Sequence, residues 1–281
     1  MPAASQVRDL LARHGLRARK SLGQNFLIDG SALDRIVSAA DIAPDDYILE
    51  IGPGLGSLTE RLAQAAGRVI AVEIDQHLIP ILRESLAAHR NVEIVHGDIL
   101  QLDPVSLIQG QTDQPTRYKV VANLPYYITS AVLRHLLEAR AKPAVLILTV
   151  QLEVAQRLVA GPGELSLLAV SVQFYGRPVL VARVPAGSFY PAPRVDSGVI
   201  RIDVHPQPRV DVANVDHFFG IVKAGFGQKR KQLHNALKAG LALPPEAIDA
   251  ALQQAGIDPK RRAETLALEE WAALEKKLPA S

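Results

Sequence analysis

The sequence predicts an α/β protein: a doubly wound parallel sheet followed by a small domain built only of helices. From Tyr47 onward, short runs rich in Val and Ile alternate with longer stretches in which apolar residues recur every three or four positions, which is the pattern of β-α-β units. A glycine-rich segment follows the first of these runs, and beyond the Pro206/Pro208 linker every pattern is helical. We therefore expect two domains, 1–205 and 206–281.

Each predicted strand is a short apolar run, as expected for strands that are buried on both faces of a parallel sheet. The strands cover 47–51, 69–73, 92–96, 118–122, 144–150, 179–184 and 196–203. Amphipathic helices are predicted between the strands and after the linker, among them 57–66, 77–88, 130–139, 151–159, 212–223, 228–239 and 245–255.

The composition excludes several classes of protein. With 281 residues, of which 48% are apolar, the chain can bury a large core. It contains no Cys and no H-x-x-x-H pair among its eight His residues, so we expect no disulfide and no metal. No run in the sequence has the length and apolarity of a signal peptide or a membrane span. We expect a soluble, cytoplasmic protein that makes no membrane contact.

A glycine-rich segment, Glu50-Ile51-Gly52-Pro53-Gly54-Leu55-Gly56, joins the first predicted strand to a helix. At this point of a parallel sheet, glycines let the backbone approach a ligand at the carboxyl edge. The G-x-G-x-G spacing differs from the G-x-G-x-x-G fingerprint of dinucleotide sites. Gly52 and Gly54 are therefore candidate ligand contacts, and a simple tight turn is the alternative.

The next two predicted strands end in acids. Glu73 lies 21 residues beyond Gly52, where a carboxylate can accept hydrogen bonds from both hydroxyls of a ribose. Asp98 and Ile99 follow the third strand, and the Asp98 carboxylate is suited to the amine of adenine. Together the acids favour an adenosine-containing ligand, either a nicotinamide cofactor or S-adenosylmethionine. For each acid alone, a solvated surface turn is the alternative.

The fourth predicted strand runs into Asn123-Leu124-Pro125-Tyr126. The amine of adenine is a poor nucleophile because its lone pair is delocalised into the ring, and acceptors that hold both hydrogens draw the nitrogen toward tetrahedral geometry. The Asn123 side-chain oxygen and a backbone carbonyl fixed by Pro125 can supply two such acceptors, while Tyr126 can stack on the base. This favours methyl transfer from S-adenosylmethionine over hydride transfer; a proline turn that only caps the strand is the alternative.

With these motifs the sequence resembles the ribosomal RNA adenine dimethyltransferase family, in particular the branch that acts on the 16S rRNA of the small subunit. The resemblance spans nearly the whole chain. It also rests on three further segments, Arg19-Lys20-Ser21-Leu22-Gly23-Gln24-Asn25-Phe26-Leu27, Phe189-Tyr190-Pro191-Ala192-Pro193-Arg194-Val195-Asp196-Ser197 and Gly225-Phe226-Gly227-Gln228-Lys229-Arg230-Lys231.

The resemblance implies a Rossmann-like methyltransferase sheet of seven strands, the last one antiparallel, and a small helical domain that recognises rRNA. It implies that a monomer transfers methyl groups from S-adenosylmethionine to the N6 amines of two adjacent adenosines near the 3′ end of 16S rRNA, in immature 30S subunits. The implied cofactor contacts are Asn25, Leu27, Gly52, Gly54, Glu73, Asp98, Ile99 and Asn123. The implied contacts to the target base are Asn123, Leu124, Pro125, Tyr126 and, stacked opposite the Tyr, Phe189.

A basic cluster, Lys223, Lys229, Arg230 and Lys231, lies in a stretch that contains no acid. Because the chain has 31 Lys and Arg against 29 Asp and Glu, any surface that binds RNA must be local. We expect this cluster to contact RNA phosphates, with a solvated helix face as the alternative. Lys260, Arg261 and Arg262 are candidates to extend it.

Three positions depart from the family pattern: Leu152 where Lys is usual, a short loop at 161–166, and His234 where Arg is common. Their effect on rRNA binding stays open. Trp271, the only Trp, lies on an apolar helical stripe and is expected in the core. Two alternative functions remain: dimethylation of 23S rRNA by the macrolide-resistance branch of the family, and a non-enzymatic role in small-subunit assembly.

Overall fold

The computed structural model of the protein describes residues 4–109 and 117–279, and these ranges contain nine strands and twelve α-helices. The strands are β1 (Phe26–Leu27), β2 (Tyr47–Ile51), β3 (Arg68–Glu73), β4 (Val92–His96), β5 (Tyr118–Asn123), β6 (Val145–Gln151), β7 (Gly176–Val184), β8 (Phe189–Tyr190) and β9 (Ser197–Val204).

The helices lie between and after these strands. They are α1 (Ala4–Arg13), α2 (Gly30–Ala40), α3 (Ser57–Ala65), α4 (Ile79–Ser85), α5 (Pro104–Gln109), α6 (Thr129–Leu137), α7 (Leu152–Leu158), α8 (Leu167–Tyr175), α9 (Val215–Phe226), α10 (Leu233–Gly240), α11 (Pro245–Gln254) and α12 (Leu268–Glu275).

Seven strands form one mixed sheet in the order β4-β3-β2-β5-β6-β9-β7. The central strand β2 pairs in parallel with β3 and β5, whereas β9 is antiparallel to β6. The predicted fold class, including the antiparallel last strand, is confirmed. Strands β2, β5 and β6 are almost wholly buried, which explains why they read in the sequence as continuous apolar runs.

All seven predicted strands are present, and only β7 departs by more than one residue from its predicted ends. Strand β7 begins at Gly176, and its buried and exposed residues alternate because it is the edge strand. The helix predicted at 212–223 is displaced by three residues, as α9, and the helices predicted at 77–88 and 228–239 are shorter than expected by five and four residues. Pro80 fixes the first turn of α4, and the backbone before α10 forms a turn in which Lys231 N donates to Gln228 O.

The chain divides into two compact units. We call Met1–Gln156 with Pro178–Val204 the sheet unit, and Arg157–Arg177 with His205–Ser281 the helical unit. The predicted division at 205/206 is therefore corrected for one segment, because residues 157–177, which include α8, belong to the helical unit.

The aromatic core of the helical unit explains this assignment. Phe174 on α8 stacks on Phe218 of α9 with ring centroids 4.9 Å apart, and it meets Phe219 edge-on at 5.1 Å. Trp271 is fully buried and lies 5.8 Å from the ring of Phe226, so its predicted place in the core is confirmed.

The core of the sheet unit lies between the main sheet and its helices. Helices α2 and α3 pack buried Leu, Ile and Ala residues against apolar side chains of β2, β3, β5 and β6. A second cluster joins Val7 and Leu11 of α1 to Phe26 of β1. Within the described ranges, no helix is long and apolar enough to span a membrane.

Candidate functional site

A cavity of about 320 Å³ opens at the carboxyl ends of β2, β3, β4 and β5, inside the sheet unit. In parallel sheets this edge is where ligands bind. Every residue that the sequence predicts as a cofactor or base contact lines this cavity: Asn25, Leu27, Gly52, Gly54, Glu73, Asp98, Ile99, Asn123, Leu124, Pro125, Tyr126 and Phe189.

The glycine-rich turn forms one wall of the cavity. Gly52, Gly54 and Gly56 have φ angles of 72°, 61° and 87°, which L side chains rarely adopt. A Cβ atom at Gly54 would lie 3.0 Å from the Phe26 ring. Glycine at this position therefore leaves room for the Phe26 ring of β1 beside the turn.

Glu73 lies at the end of β3 with only 4% of its surface exposed. Its Oε2 accepts from Gly54 N at 3.1 Å, and its Oε1 accepts from Asp75 N at 2.8 Å. Burial raises the pKa of this carboxyl group, and the backbone N–H groups oppose the rise. Since a carboxylate can accept about four hydrogen bonds, both oxygens keep capacity for a further donor, such as a pair of vicinal hydroxyls.

Asp98 lies on the neighbouring turn after β4. Its Oδ1 accepts from Leu100 N at 3.0 Å, and Gly97 N donates to Glu73 O at 2.9 Å, which joins the two acid-bearing turns. One Asp98 oxygen is thus held by backbone, and the carboxylate has capacity left for an amine donor.

Asn123 ends β5, and its side-chain amide is oriented by the backbone. Its Nδ2 donates to Asn25 O at 3.1 Å, so Oδ1 is the atom that remains to accept a donor in the cavity. Pro125 O accepts from Ile128 N at 3.1 Å, and Leu124 N donates to Thr149 O at 3.3 Å. The backbone acceptor beside Asn123 is therefore the Leu124 carbonyl, which Pro125 holds in an extended conformation.

Two aromatic residues approach the cavity from different elements. The Tyr126 hydroxyl lies 2.7 Å from Ser197 Oγ, and burial raises the pKa of Tyr126, so the ring stays neutral. Phe189 on β8 pairs with Leu27 of β1 in a two-stranded sheet. Phe189 is buried and packs with the core of the sheet unit. Without the family resemblance, the sequence around Phe189 would therefore indicate only a core residue.

Residues 19–27, which we call the N-terminal strap, carry Asn25 and Leu27 to the cavity. The strap is held by Asp75, whose side chain is only 2% exposed. Gln24 Nε2 donates to Asp75 Oδ2 at 2.8 Å, and Arg19 Nη1 donates to Asp75 Oδ1 at 3.1 Å. Sequence reasoning missed this anchor, although Asp75 follows Glu73 by two residues, within the same turn.

Glu50 is a second residue that sequence reasoning missed. It lines the cavity, is 1% exposed, and its Oε2 has no hydrogen-bond partner among the described residues. Burial raises the pKa of Glu50 to about 8, and the nearby Glu73 carboxylate adds to the rise. The available signal was an acid inside an otherwise apolar strand. The unpartnered oxygen of this buried carboxyl group can accept a donor in the cavity, and a cationic ligand beside it would favour its ionised form.

The basic cluster lies in the helical unit, apart from the lining of the cavity. Lys223, Lys229, Arg230 and Lys231 are all exposed, and none has a carboxylate of a described residue within salt-bridge distance. Arg261 does not extend the cluster, because Glu270 binds it through Oε2 and Nη2 at 3.0 Å.

The three positions that depart from the family pattern, Leu152, the loop at 161–166 and His234, each contact another part of the structure. His234 Nε2 lies 2.7 Å from Asp249 Oδ1, and its side chain is mostly buried. The short loop at 161–166 belongs to the helical unit, and within that unit Gly163 N donates to Glu264 O at 2.8 Å. Leu152 N donates to Asp196 O at 3.0 Å. Among the residues that the structure describes, no group of three or more His, Asp or Glu could hold a metal ion.

Comparison with known proteins places the chain in a family. A family model described as ribosomal RNA adenine dimethylase matches residues 15–279. A relative from Dehalococcoides mccartyi, named ribosomal RNA small subunit methyltransferase A, is 49% identical over 272 residues, covering 96% of this chain and 91% of the relative. A relative of the same name from Pelotomaculum thermopropionicum is 49% identical over 276 residues, covering 95% and 94%.

Two solved structures extend the likeness to the fold. A dimethyladenosine transferase from Plasmodium falciparum has a TM-score of 0.74 and 25% identity, with 90% of this chain and 98% of that chain covered. The 23S rRNA methyltransferase ErmE has a TM-score of 0.71 and 31% identity, with 90% and 99% covered. From the family match and these identities, the chain belongs to the ribosomal RNA adenine dimethylase family.

Proposed function

We propose that this enzyme transfers methyl groups from S-adenosylmethionine to the N6 amines of two adjacent adenosines near the 3′ end of 16S rRNA. The observation that carries the proposal is a single cavity that joins two acceptors suited to an amine, Asn123 Oδ1 and Leu124 O, to the acids Glu73 and Asp98. Relatives named ribosomal RNA small subunit methyltransferase A, at 49% identity, support the small subunit as the source of the RNA.

The acids and the glycine turn would hold the methyl donor. Glu73 would accept the ribose hydroxyls, Asp98 the adenine amine, and the turn at Gly52 and Gly54 leaves room for close approach of the backbone. Glu50, with an unpartnered buried oxygen, fits a donor that carries positive charge. The bound donor supplies a methyl group on a sulfonium centre, which departs as a neutral thioether.

Asn123 and Leu124 would prepare the target amine. Each accepts a hydrogen bond from the amine, and the two hydrogen bonds draw the nitrogen toward tetrahedral geometry. Both hydrogen bonds strengthen as positive charge develops on the amine. The methylated amine is then positively charged and loses a proton easily, so no side chain has to act as a strong base. Tyr126 and Phe189 would hold the base between their rings, with the Tyr126 hydroxyl fixed by Ser197.

The partner that fits this activity is rRNA within an immature 30S subunit, bound by a monomer in the cytoplasm. The exposed basic cluster Lys223, Lys229, Arg230 and Lys231 would contribute phosphate contacts. The contacts of Arg261 with Glu270 and of His234 with Asp249 remove these two side chains from the proposed RNA surface.

The test is to incubate the protein with labelled S-adenosylmethionine and, separately, undermethylated small subunits, naked 16S rRNA and 23S rRNA. The modified nucleoside and its position are then identified. Label in dimethyladenosine at two adjacent positions of small-subunit RNA is expected. Label on 23S rRNA would instead support the macrolide-resistance activity, whose structural representative is 31% identical. Tight binding to subunits without label would leave only a role in assembly.

Asn123→Ala tests the acceptor mechanism. Because the contact of Asn123 Oδ1 strengthens in the transition state, the variant should lose turnover by far more than it loses affinity for small subunits. Single-turnover methylation and subunit binding are measured on the same preparation, with circular dichroism as the control for folding. A variant with a near-normal single-turnover rate would contradict the mechanism.

A further inference from the structure

Tyr127 follows the proposed base-stacking Tyr126 directly, but its side chain lies in a different environment. It is 67% exposed, the largest exposed fraction among the large apolar side chains of the described residues. Tyr127 nevertheless lines the mouth of the cavity. Both tyrosines belong to one 3-10 turn, Tyr126–Ile128. The turn therefore presents one aromatic ring inside the cavity and the next at its entrance.

One edge of the Tyr127 ring lies against the backbone at Gly23. A Cβ atom at Gly23 would lie 3.2 Å from Tyr127 Cε1 and 3.0 Å from Pro125 Cβ, so the missing side chain at Gly23 makes room for one edge of the ring. Ile128 N donates to Pro125 O at 3.1 Å and closes the turn beneath it. One edge of the ring is thus packed while most of its surface faces solvent.

An exposed aromatic ring at the entrance of the cavity is suited to stack on the nucleotide next to the target adenosine. An adenine that enters the cavity has left the base stack, so the neighbouring base in the same strand loses a stacking partner on one face. Unstacked RNA bases are commonly bound on exposed aromatic rings, which tolerate any base because every base has a π-face. The strand that delivers an adenine to Tyr126 must also pass the entrance where Tyr127 lies.

We propose that Tyr127 is an RNA-binding residue that stacks on the nucleotide flanking the target adenosine. This inference rests on the proposed function. It adds that the enzyme requires an unstacked nucleotide next to the target adenosine, at the entrance of the cavity. Where two target adenosines are adjacent, this nucleotide is the other target adenosine. Tyr127 would contribute to binding of the RNA and would leave binding of the methyl donor unaffected.

The test compares Tyr127→Leu and Tyr127→Phe with the wild-type protein on undermethylated small subunits. Tyr127→Leu keeps an apolar side chain beside Gly23 but lacks the aromatic face, whereas Tyr127→Phe keeps the face and lacks the hydroxyl. Val181→Ala on the edge strand removes an exposed apolar group away from the cavity and is the matched control. The measurements are KM for subunits, kcat, and affinity for S-adenosylmethionine by calorimetry.

We expect Tyr127→Leu to raise KM for subunits by about tenfold or more, since stacking on an aromatic ring commonly contributes that much to affinity. Its affinity for S-adenosylmethionine should stay within about twofold of wild type, and Tyr127→Phe and Val181→Ala should behave like wild type. A normal KM in Tyr127→Leu would overturn the inference. An equal rise of KM in Tyr127→Phe would overturn it as well, because that variant keeps the aromatic ring. Weakened donor binding in Tyr127→Leu would also overturn it, because the ring would then act through the N-terminal strap.

The proposed function is tested by the wild type in the same experiment. Wild-type protein that methylates subunits while Tyr127→Leu is normal would refute the stacking role alone. Wild-type protein that fails to methylate subunits would refute the proposed function and, with it, this inference.

Discussion

At the scale of single residues, Glu73 combines burial with capacity for two further hydrogen bonds. Glu73→Ala should weaken S-adenosylmethionine binding about ten- to a hundredfold, because a hydrogen bond to a charged group contributes about 1.5–3 kcal/mol. Calorimetry measures this affinity. Glu93→Ala, which removes an exposed acid from the neighbouring strand β4, is the control and should bind normally. Unchanged affinity in Glu73→Ala would exclude the ribose contact.

Glu50 makes stability depend on pH in a predictable direction. Burial raises its pKa from 4.5 to about 8 in the folded protein, so between these values the folded state holds a proton that the unfolded state has released. The free energy of unfolding that protonated Glu50 contributes at low pH is therefore lost as pH rises through this range. Glu50→Gln has no such proton.

The midpoint of thermal unfolding of Glu50→Gln should exceed that of the wild type by an amount that grows from about pH 5 to about pH 8 and then levels off. Circular dichroism without methyl donor measures both proteins over this range. The other titrating groups are shared and cancel in the difference, except for Glu73, whose charge is coupled to that of Glu50. Parallel curves across the range would contradict the assignment.

The same residues show how far the site could be predicted. Glu73 and Asn123 end strands and Asp98 follows one, so the assignment of strands alone placed all three at one edge of the sheet. Glu50 lies inside a strand, where an acid carries no turn signal, and only the structure reveals its unpartnered oxygen. The exposure of Tyr127 depends on the direction of one 3-10 turn, which no periodicity encodes.

At the scale of elements, the N-terminal strap is attached through Asp75 to the turn after β3. Asp75→Ala should release the strap, because it removes both the ion pair with Arg19 and the hydrogen bond from Gln24. Amide hydrogen exchange in residues 19–27 should then speed up. Binding of S-adenosylmethionine should weaken, since Asn25 and Leu27 lie in this segment.

Hydrogen exchange with mass spectrometry and calorimetry are the two measurements. Asp103→Ala is the matched control, because Asp103 accepts from Val105 N and Ser106 N at the start of α5 and does not touch the strap. Unchanged exchange in the strap of Asp75→Ala would show that α1 and β1 hold it without the Asp75 anchor.

Three of the elements that the sequence did not predict, β1, β8 and α8, lack periodicity. Strands β1 and β8 have two residues each, too few to show alternation. Helix α8 reads Leu-Leu-Ala-Val-Ser-Val-Gln-Phe-Tyr, which is apolar on nearly every side and gives no helical stripe. In contrast, the parallel strands β2 and β5 were located to within one residue because both of their faces are buried and they read as continuous apolar runs.

At the scale of the whole molecule, the basic cluster belongs to the helical unit and the residues that line the cavity belong to the sheet unit. Replacing Lys229, Arg230 and Lys231 together by Gln should leave S-adenosylmethionine affinity unchanged and weaken association with small subunits. The slope of log affinity against log salt should fall by about 2 to 3, at roughly 0.7–0.9 for each phosphate that the variant no longer neutralises.

A salt titration by filter binding on immature subunits measures the slope. The control replaces Arg209 and Lys276, two exposed basic residues of the helical unit whose charges are already balanced by Glu269 and Asp211. This control should change the slope far less. An unaltered slope in the triple variant would identify the cluster as an ordinary solvated surface.

The helical unit is assembled from two separate lengths of chain, 157–177 and 205–281, with β7, β8 and β9 of the sheet unit between them. A module joined by one linker can be gained, lost or exchanged in a single genetic event, but this unit cannot. A gene ending at residue 205 would encode Phe174 without the rings of Phe218 and Phe219 that cover it. The first segment of the helical unit therefore depends on the second to bury its aromatic side chains.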